Sequence, residues 1–224
     1  MIEVRNLSLT LGKKEILKQI SLKLEDGHIY GLVGNNGCGK TMLMRCICGF
    51  IRPTCGEVLV DGKQVGVDVD YLPDAGVILE TPGFIPYYSG CRNLKALADI
   101  RGLAGREEIR DTLTLVGLDP DLKLPVRKYS LGMRQRLGIA QAIMEQQKTL
   151  ILDEPMNGLD KHGVQDVREL LLKLKGEGRL ILLASHNSED IRILCDEIYE
   201  MEMGEIISCI RSRGEGNCME EPEQ

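Results

Sequence analysis

Apolar and polar side chains alternate with a period of two along residues 2–11 (IEVRNLSLTL) and 20–24 (ISLKL), the pattern of strands with one buried face. Gly27 then opens the run HIYGLV at 28–33, read as a buried strand, and a helix is expected from Gly39 to about Gly49. GEVLVDGK at 56–63 ends on an Asp-Gly turn, so the early strands should form an antiparallel layer. From about 82 to 147 the pattern becomes helical, with segments near 91–101, 106–116 and 131–147 separated by GLAG, GLDPDLKLP and YSLG. Strand and helix alternate again afterwards: KTLILDEP at 148–155, a helix near 161–176, RLILLASH at 179–186 and a helix near 188–195. Two last strands, about 197–202 and 205–210, meet at Met203-Gly204.

This order predicts an α/β fold with a parallel sheet covered by helices. It also predicts a single domain over 1–210, a helical sub-domain over about 82–147 inserted into the α/β core, and a polar tail over 211–224. Internal repeats and low-complexity segments are absent from the sequence.

Composition narrows the partners. The 224 residues are 43% hydrophobic, enough for a sizeable core, and 28 basic against 34 acidic residues give a net charge of −6 with no basic stripe. A nucleic-acid backbone is therefore not an expected partner. No apolar window is long enough to span a bilayer and the N-terminus has neither a basic nor an apolar leader region, so a soluble, cytosolic chain is expected. The eight cysteines (Cys38, Cys46, Cys48, Cys55, Cys91, Cys195, Cys209, Cys218) form no CxxC pair and no metal spacing, and most are expected to be reduced core fillers. Cys46 and Cys48, two apart on a helix, should point to different faces.

The chemistry concentrates at three strand ends. GNNGCGKT, comprising Gly34, Asn35, Asn36, Gly37, Cys38, Gly39, Lys40 and Thr41, matches G-x-x-x-x-G-K-[ST] between a buried strand and an amphipathic helix. Its backbone amides and the helix dipole suit a phosphate, Lys40 would reach the β- and γ-phosphates, and the Thr41 hydroxyl would ligate Mg²⁺. In LILDEP, Asp153 could hold Mg²⁺ through water while Glu154 polarises the attacking water, although two adjacent acids also suit a solvated strand exit. His186 ends the next apolar strand, where it could serve structure or donate a hydrogen bond to a γ-phosphate. Cys38 sits inside the loop, either as a small filler or as a thiol of lowered pKa. A further acid, Glu80, ends the apolar part of VILETPGF at 77–84.

With GNNGCGKT, YSLGMRQR, LILDEPMNGLD and LLASH in this order, the chain resembles the ATP-binding subunit of ABC transporters over roughly 1–210. The resemblance implies a P-loop NTPase (RecA-like) core binding ATP and Mg²⁺. Ser130 and Gly132 stand in the family's signature segment, Asn157-Gly158-Leu159-Asp160 in its D-loop, and His186 at its switch histidine. It further implies a homodimer, or a pair with a second ATP-binding subunit, closing head to tail over two ATP molecules. Ser130 would then both cap its helix and meet the partner's γ-phosphate. Integral membrane permease subunits follow as partners, which would hold the chain peripherally on the inner face of the cell membrane.

Three positions depart from the family's pattern. Leu11 replaces an aromatic that stacks on adenine, a loss on the order of 1 kcal/mol. Met133 replaces the signature glutamine. Glu80 replaces the Q-loop glutamine, and as a hard oxygen ligand it could still meet Mg²⁺ or the attacking water. Together with TPGFIPYYSGCRNL, that acid makes the chain similar to the exporters of bacitracin and lantibiotic peptides. Phe84, Tyr87 and Tyr88 then stand where a permease's coupling helix would dock, or else pack under the helical block. The alternative is a soluble ABC-type ATPase of DNA repair, chromosome structure or translation; such proteins usually carry coiled coils, zinc modules or tandem cassettes, which this sequence lacks. A small-molecule kinase would not need the YSLGMRQR segment.

Overall fold

The computed structural model describes residues 1–79 and 83–211. Four strands, β1 (Ile2–Leu11), β2 (Lys14–Leu24), β4 (Cys55–Val60) and β5 (Lys63–Gln64), pair antiparallel in the order β2-β1-β4-β5. Six others form the second sheet in the order β10-β9-β3-β8-β7-β6. They are β3 (Ile29–Val33), β6 (Ala75–Ile78), β7 (Thr149–Asp153), β8 (Leu180–Ala184), β9 (Glu197–Glu202) and β10 (Glu205–Arg211). All its pairings are parallel except that of β9 with β10.

The central strands are covered on both faces, which is why they read as unbroken apolar runs. Leu150 and Leu152 of β7 and Ile181 and Leu183 of β8 enter one core cluster with the helices α4 (Leu131–Ile143) and α5 (Lys161–Gly176). Their neighbours Ile151, Leu180, Leu182 and Ala184 enter the other. That second cluster holds α1 (Lys40–Ile47) and the inner faces of β1, β2 and β4, so α1 lies between the two sheets. Between β6 and β7 the described chain carries α2 (Gly90–Arg101), α3 (Arg106–Leu115), a 3-10 turn at Val126–Lys128 and α4. The last helix, α6 (Ser188–Leu194), connects β8 to β9.

Three boundaries differ from the periodicity. β2 begins at Lys14 rather than residue 20; Gln19 at φ 48° breaks the alternation within it, as Asn6 at φ 44° does within β1. Each irregularity is held by a serine of the other strand: Asn6 N–H donates to Ser21 Oγ and Gln19 N–H to Ser8 Oγ, both at 2.9 Å. α4 stops at Ile143, four residues early, since the chain must reverse at Gln146 (φ 58°) to enter β7. β10 runs one residue into the polar tail, where Arg211 pairs with Glu197 of β9 at 3.2 Å.

The seven described thiols are free and most of them fill the core, as expected: Cys38, Cys46, Cys48 and Cys195 are buried and Cys91 packs partly against the core, while Cys55 and Cys209 are exposed. Cys46 and Cys48 both enter the core cluster that surrounds α1. Burial pushes the Cys46 thiol up to about 11 and Cys48 and Cys195 up to about 12, so these three stay protonated near neutrality. Cys218 lies outside the described residues.

Candidate nucleotide site

The C-terminal ends of β3, β7 and β8 lie side by side, and each delivers one part of a single crevice. After β3, the chain turns through Gly34 to Gly39 into α1. Gly39 has φ 116°, a conformation that disfavours any residue with a Cβ, and it leaves α1 without a capping side chain. α1 also carries no acid in its first turn, whereas α2, α4, α5 and α6 begin on Ser89, Ser130, Asp160 and Asn187, each accepting from its own first turn. The N-terminal amides of α1 thus lack the acceptor that those four helices supply internally, which fits an anion.

Lys40 is buried and its ammonium donates to Gly34 O at 2.7 Å and Asn35 O at 3.3 Å. Cys38 Sγ lies 3.8 Å from the same nitrogen. The Thr41 hydroxyl donates to Asp153 Oδ2 at 2.5 Å, so the first turn of α1 and the end of β7 present two hard oxygen donors together.

Glu154 follows Asp153 at φ 52°, in the left-handed region. Its N–H donates to Ala184 O of β8 at 2.9 Å and its Oε2 lies 2.8 Å from His186 Nδ1. With Nδ1 as donor and the carboxylate as acceptor, Nε2 faces away from Glu154. The His186 side chain is otherwise 71% exposed at the crevice.

A buried network holds the turn that carries His186. Arg168 of α5 donates from Nε (2.9 Å) and Nη2 (2.5 Å) to Asp190 Oδ1 of α6. Ser185 Oγ donates to Asp190 Oδ2 at 3.5 Å and accepts from Asn187 N–H at 3.1 Å, bracketing His186 on both sides. A buried ion pair contributes little net stability, but losing either partner strands a charge, so its use here is geometric.

Ser130 and Asp160 are both engaged as N-caps, Ser130 Oγ accepting from Met133 N–H at 3.1 Å and Asp160 Oδ1 from Gly163 N–H at 2.8 Å. Gly132 sits beside the Gly158 carbonyl, which places the start of α4 against the 156–160 turn. Met133 packs on the core, and Leu131 is 52% exposed. Leu11 is 44% exposed at the end of β1. Phe84 packs partly against the core, Tyr88 lies under the Arg92 guanidinium at 3.7 Å, and Tyr87 is 71% exposed. Glu80 lies outside the described residues.

The crevice is a cleft of about 550 Å³ lined by the loop, by Asp153, Glu154 and Asn157, and also by Ile16, Arg134 and Gln135. The last three were not singled out in the sequence. Ile16 belongs to the part of β2 hidden by the irregular strand, while Arg134 and Gln135 lie just past the signature segment, on a helix whose facing cannot be read from spacing alone.

A glycine-rich loop opening a helix, with carboxylates at the neighbouring strand ends, defines a P-loop nucleotide-binding ATPase. Residues 17–157 match the family model described as ABC transporter. The chain is 44% identical over 206 residues to the uncharacterized ABC transporter ATP-binding protein YybJ of Bacillus subtilis, covering 92% of this chain and 94% of that protein. It is 39% identical to the bacitracin transport ATP-binding protein BcrA of Enterococcus faecalis, over 92% of this chain and 68% of that one. Its fold matches a dimeric bacterial ABC transporter cassette, MJ0796, with a TM-score of 0.86 at 24% identity, covering 96% of this chain and all of that one. The chain belongs to the ABC transporter family as an ATP-binding subunit, and its enzymatic activity is ATP hydrolysis.

Proposed function

We propose that this ATPase drives export of an antimicrobial peptide or related drug through a separate membrane permease. Two copies, or one copy with a second ATP-binding subunit, close over two ATP molecules, and the permease holds the assembly on the inner face of the membrane. The observation that carries the hydrolytic part is the Glu154–His186 pair, 2.8 Å apart beside the loop and the Thr41–Asp153 contact. The name of the bacitracin transport relative supports the cargo, and the dimeric cassette of the same fold supports the pairing. Residues 1–210 act as one domain in this reading, with the helical block of about 82–147 as its moving part.

The mechanism follows from the side chains. The amides from Asn36 to Thr41 and the Lys40 ammonium take the phosphate chain, Lys40 exchanging its contacts with Gly34 O and Asn35 O for phosphate oxygens. Thr41 Oγ1, Asp153 Oδ2 and Glu80 would hold Mg²⁺, which neutralises charge on the phosphate oxygens when bound. Glu154 takes the proton from the attacking water, and His186 orients that carboxylate from Nδ1. Ser130 and Gly132 of one copy, with Asp160 near the interface, complete the site of the other.

Tyr87 is the most exposed aromatic of the 84–88 segment and the best anchor for a permease. The test is co-expression with the permease of the adjacent reading frame in a peptide-sensitive host. Wild type is expected to co-purify with the permease and raise resistance to bacitracin or a lanthipeptide; Tyr87→Ala is expected to lose both while keeping its melting temperature. Unchanged susceptibility in the wild-type strain would overturn the cargo, and undiminished co-purification of Tyr87→Ala would overturn the docking surface.

Glu80→Gln restores an amide where the chain has an acid, removing one negative charge near the metal. It is expected to keep ATP binding and to change the ratio of permease-stimulated to basal ATPase activity several-fold, on the order of 1 kcal/mol of altered interaction. An unchanged ratio in reconstituted vesicles would leave the acid without a special role.

A further inference from the structure

Gln135 is not among the residues through which the sequence defines the site, yet its side chain ties α4 to the strand end that bears the general base. Its Nε2 donates to Glu154 O at 3.2 Å and to Pro155 O at 2.9 Å. Glu154 itself is held in the left-handed region at φ 52°, a conformation that costs about 1–2 kcal/mol for a residue with a Cβ and persists only where its surroundings over-determine it. Three contacts do so here. From β8, Ala184 O accepts the Glu154 N–H at 2.9 Å; within the turn, Asn157 N–H donates to Glu154 O at 3.1 Å; and from α4, the Gln135 amide donates to the same carbonyl.

The start of α4 cannot shift independently of this turn. Gly158, at φ 76°, lies so close to Leu131 that a Cβ there would meet its Cδ2 at 2.4 Å, and Gly132 abuts the Gly158 carbonyl. Arg136, one residue after Gln135, donates to Val116 O at 2.7 Å and to Asp166 of α5 at 2.9 Å. α4 is therefore fastened to α3 and α5 by Arg136 and to the Glu154 main chain by Gln135.

We propose that Gln135 is a positioning residue: its carboxamide sets the Glu154 main chain, and with it the aim of the carboxylate, so that hydrolysis requires α4 to be seated on the 154–155 turn. The proposal rests on Glu154 acting as the base. It differs from a nucleotide-binding role, because the Gln135 amide donates to main-chain carbonyls of the 154–155 turn.

The test compares Gln135→Glu, which keeps the shape but turns a donor into an acceptor facing two carbonyls, and Gln135→Met, which keeps the volume without polar atoms. Wild type and Glu154→Gln are measured in the same ATPase assay. Both Gln135 variants are expected to lose about tenfold in kcat, the equivalent of about 1.4 kcal/mol of misplaced transition state. KM for ATP should not change, and ATP-dependent dimerisation in a Glu154→Gln background should persist. Full turnover in either variant, or a raised KM with lost dimerisation, overturns the positioning role. Turnover retained by Glu154→Gln instead overturns the assignment of the base, which separates the two failures.

Discussion

Glu154→Gln is expected to bind ATP, to accumulate as a closed dimer and to lose ATP turnover by about 10²–10⁴-fold, the usual contribution of a positioned general base. The substitution keeps volume and main chain: the turn at φ 52° remains held by Ala184 O and by Gln135. The amide oxygen can still accept from His186 Nδ1, so the geometry of the pair at 2.8 Å survives while the proton acceptor is gone. Binding should be spared, because the proposed phosphate contacts come from the α1 loop, not from β7. Phosphate release measured beside size-exclusion chromatography with ATP checks both halves. Normal turnover would remove Glu154 as the base, and absence of the dimer would show that hydrolysis does not drive its release.

Lys40→Ala is expected to weaken ATP binding by about 10–100-fold, the equivalent of one lost charge-assisted contact of about 1.5–3 kcal/mol. Without a nucleotide, the ammonium neutralises the inward carbonyls of Gly34 and Asn35. Removing it leaves those oxygens beside the open cleft, where water replaces the donor, so the melting temperature should fall little. Isothermal titration with a non-hydrolysable ATP analogue checks the affinity. A dissociation constant unchanged from wild type would contradict the phosphate role of Lys40. In the proposed pairing the nucleotide joins the two copies, so Lys40→Ala combined with Glu154→Gln should also abolish the trapped dimer.

How much of this was visible beforehand differs from element to element. Strands β3, β7 and β8 were legible as apolar runs because burial on both faces leaves no polar position, and α5 was legible because one face of a surface helix must be apolar. The first half of β2 was not. Its alternation is broken by Gln19 at positive φ, and the compensating serine contact comes from the neighbouring strand β1. The end of α4 was missed for a related reason: helix-favouring residues continue to Gln147, and only the need to enter the sheet at Thr149 stops the helix.

The site divides in the same way. Spacing alone determined the loop of residues 34–41 with its lysine and threonine, and the acids that end β7, because local backbone geometry and a strand end impose those residue types over a few positions. That Glu154 and His186 touch, that Arg168 and Asp190 hold the turn carrying His186, and that Gln135 reaches the Glu154 carbonyl were decided only by tertiary structure. Each of these contacts joins segments 19 to 32 residues apart. No short-range pattern constrains a side chain's direction over that distance; the order of the parallel strands and the seating of α4 and α5 on them do.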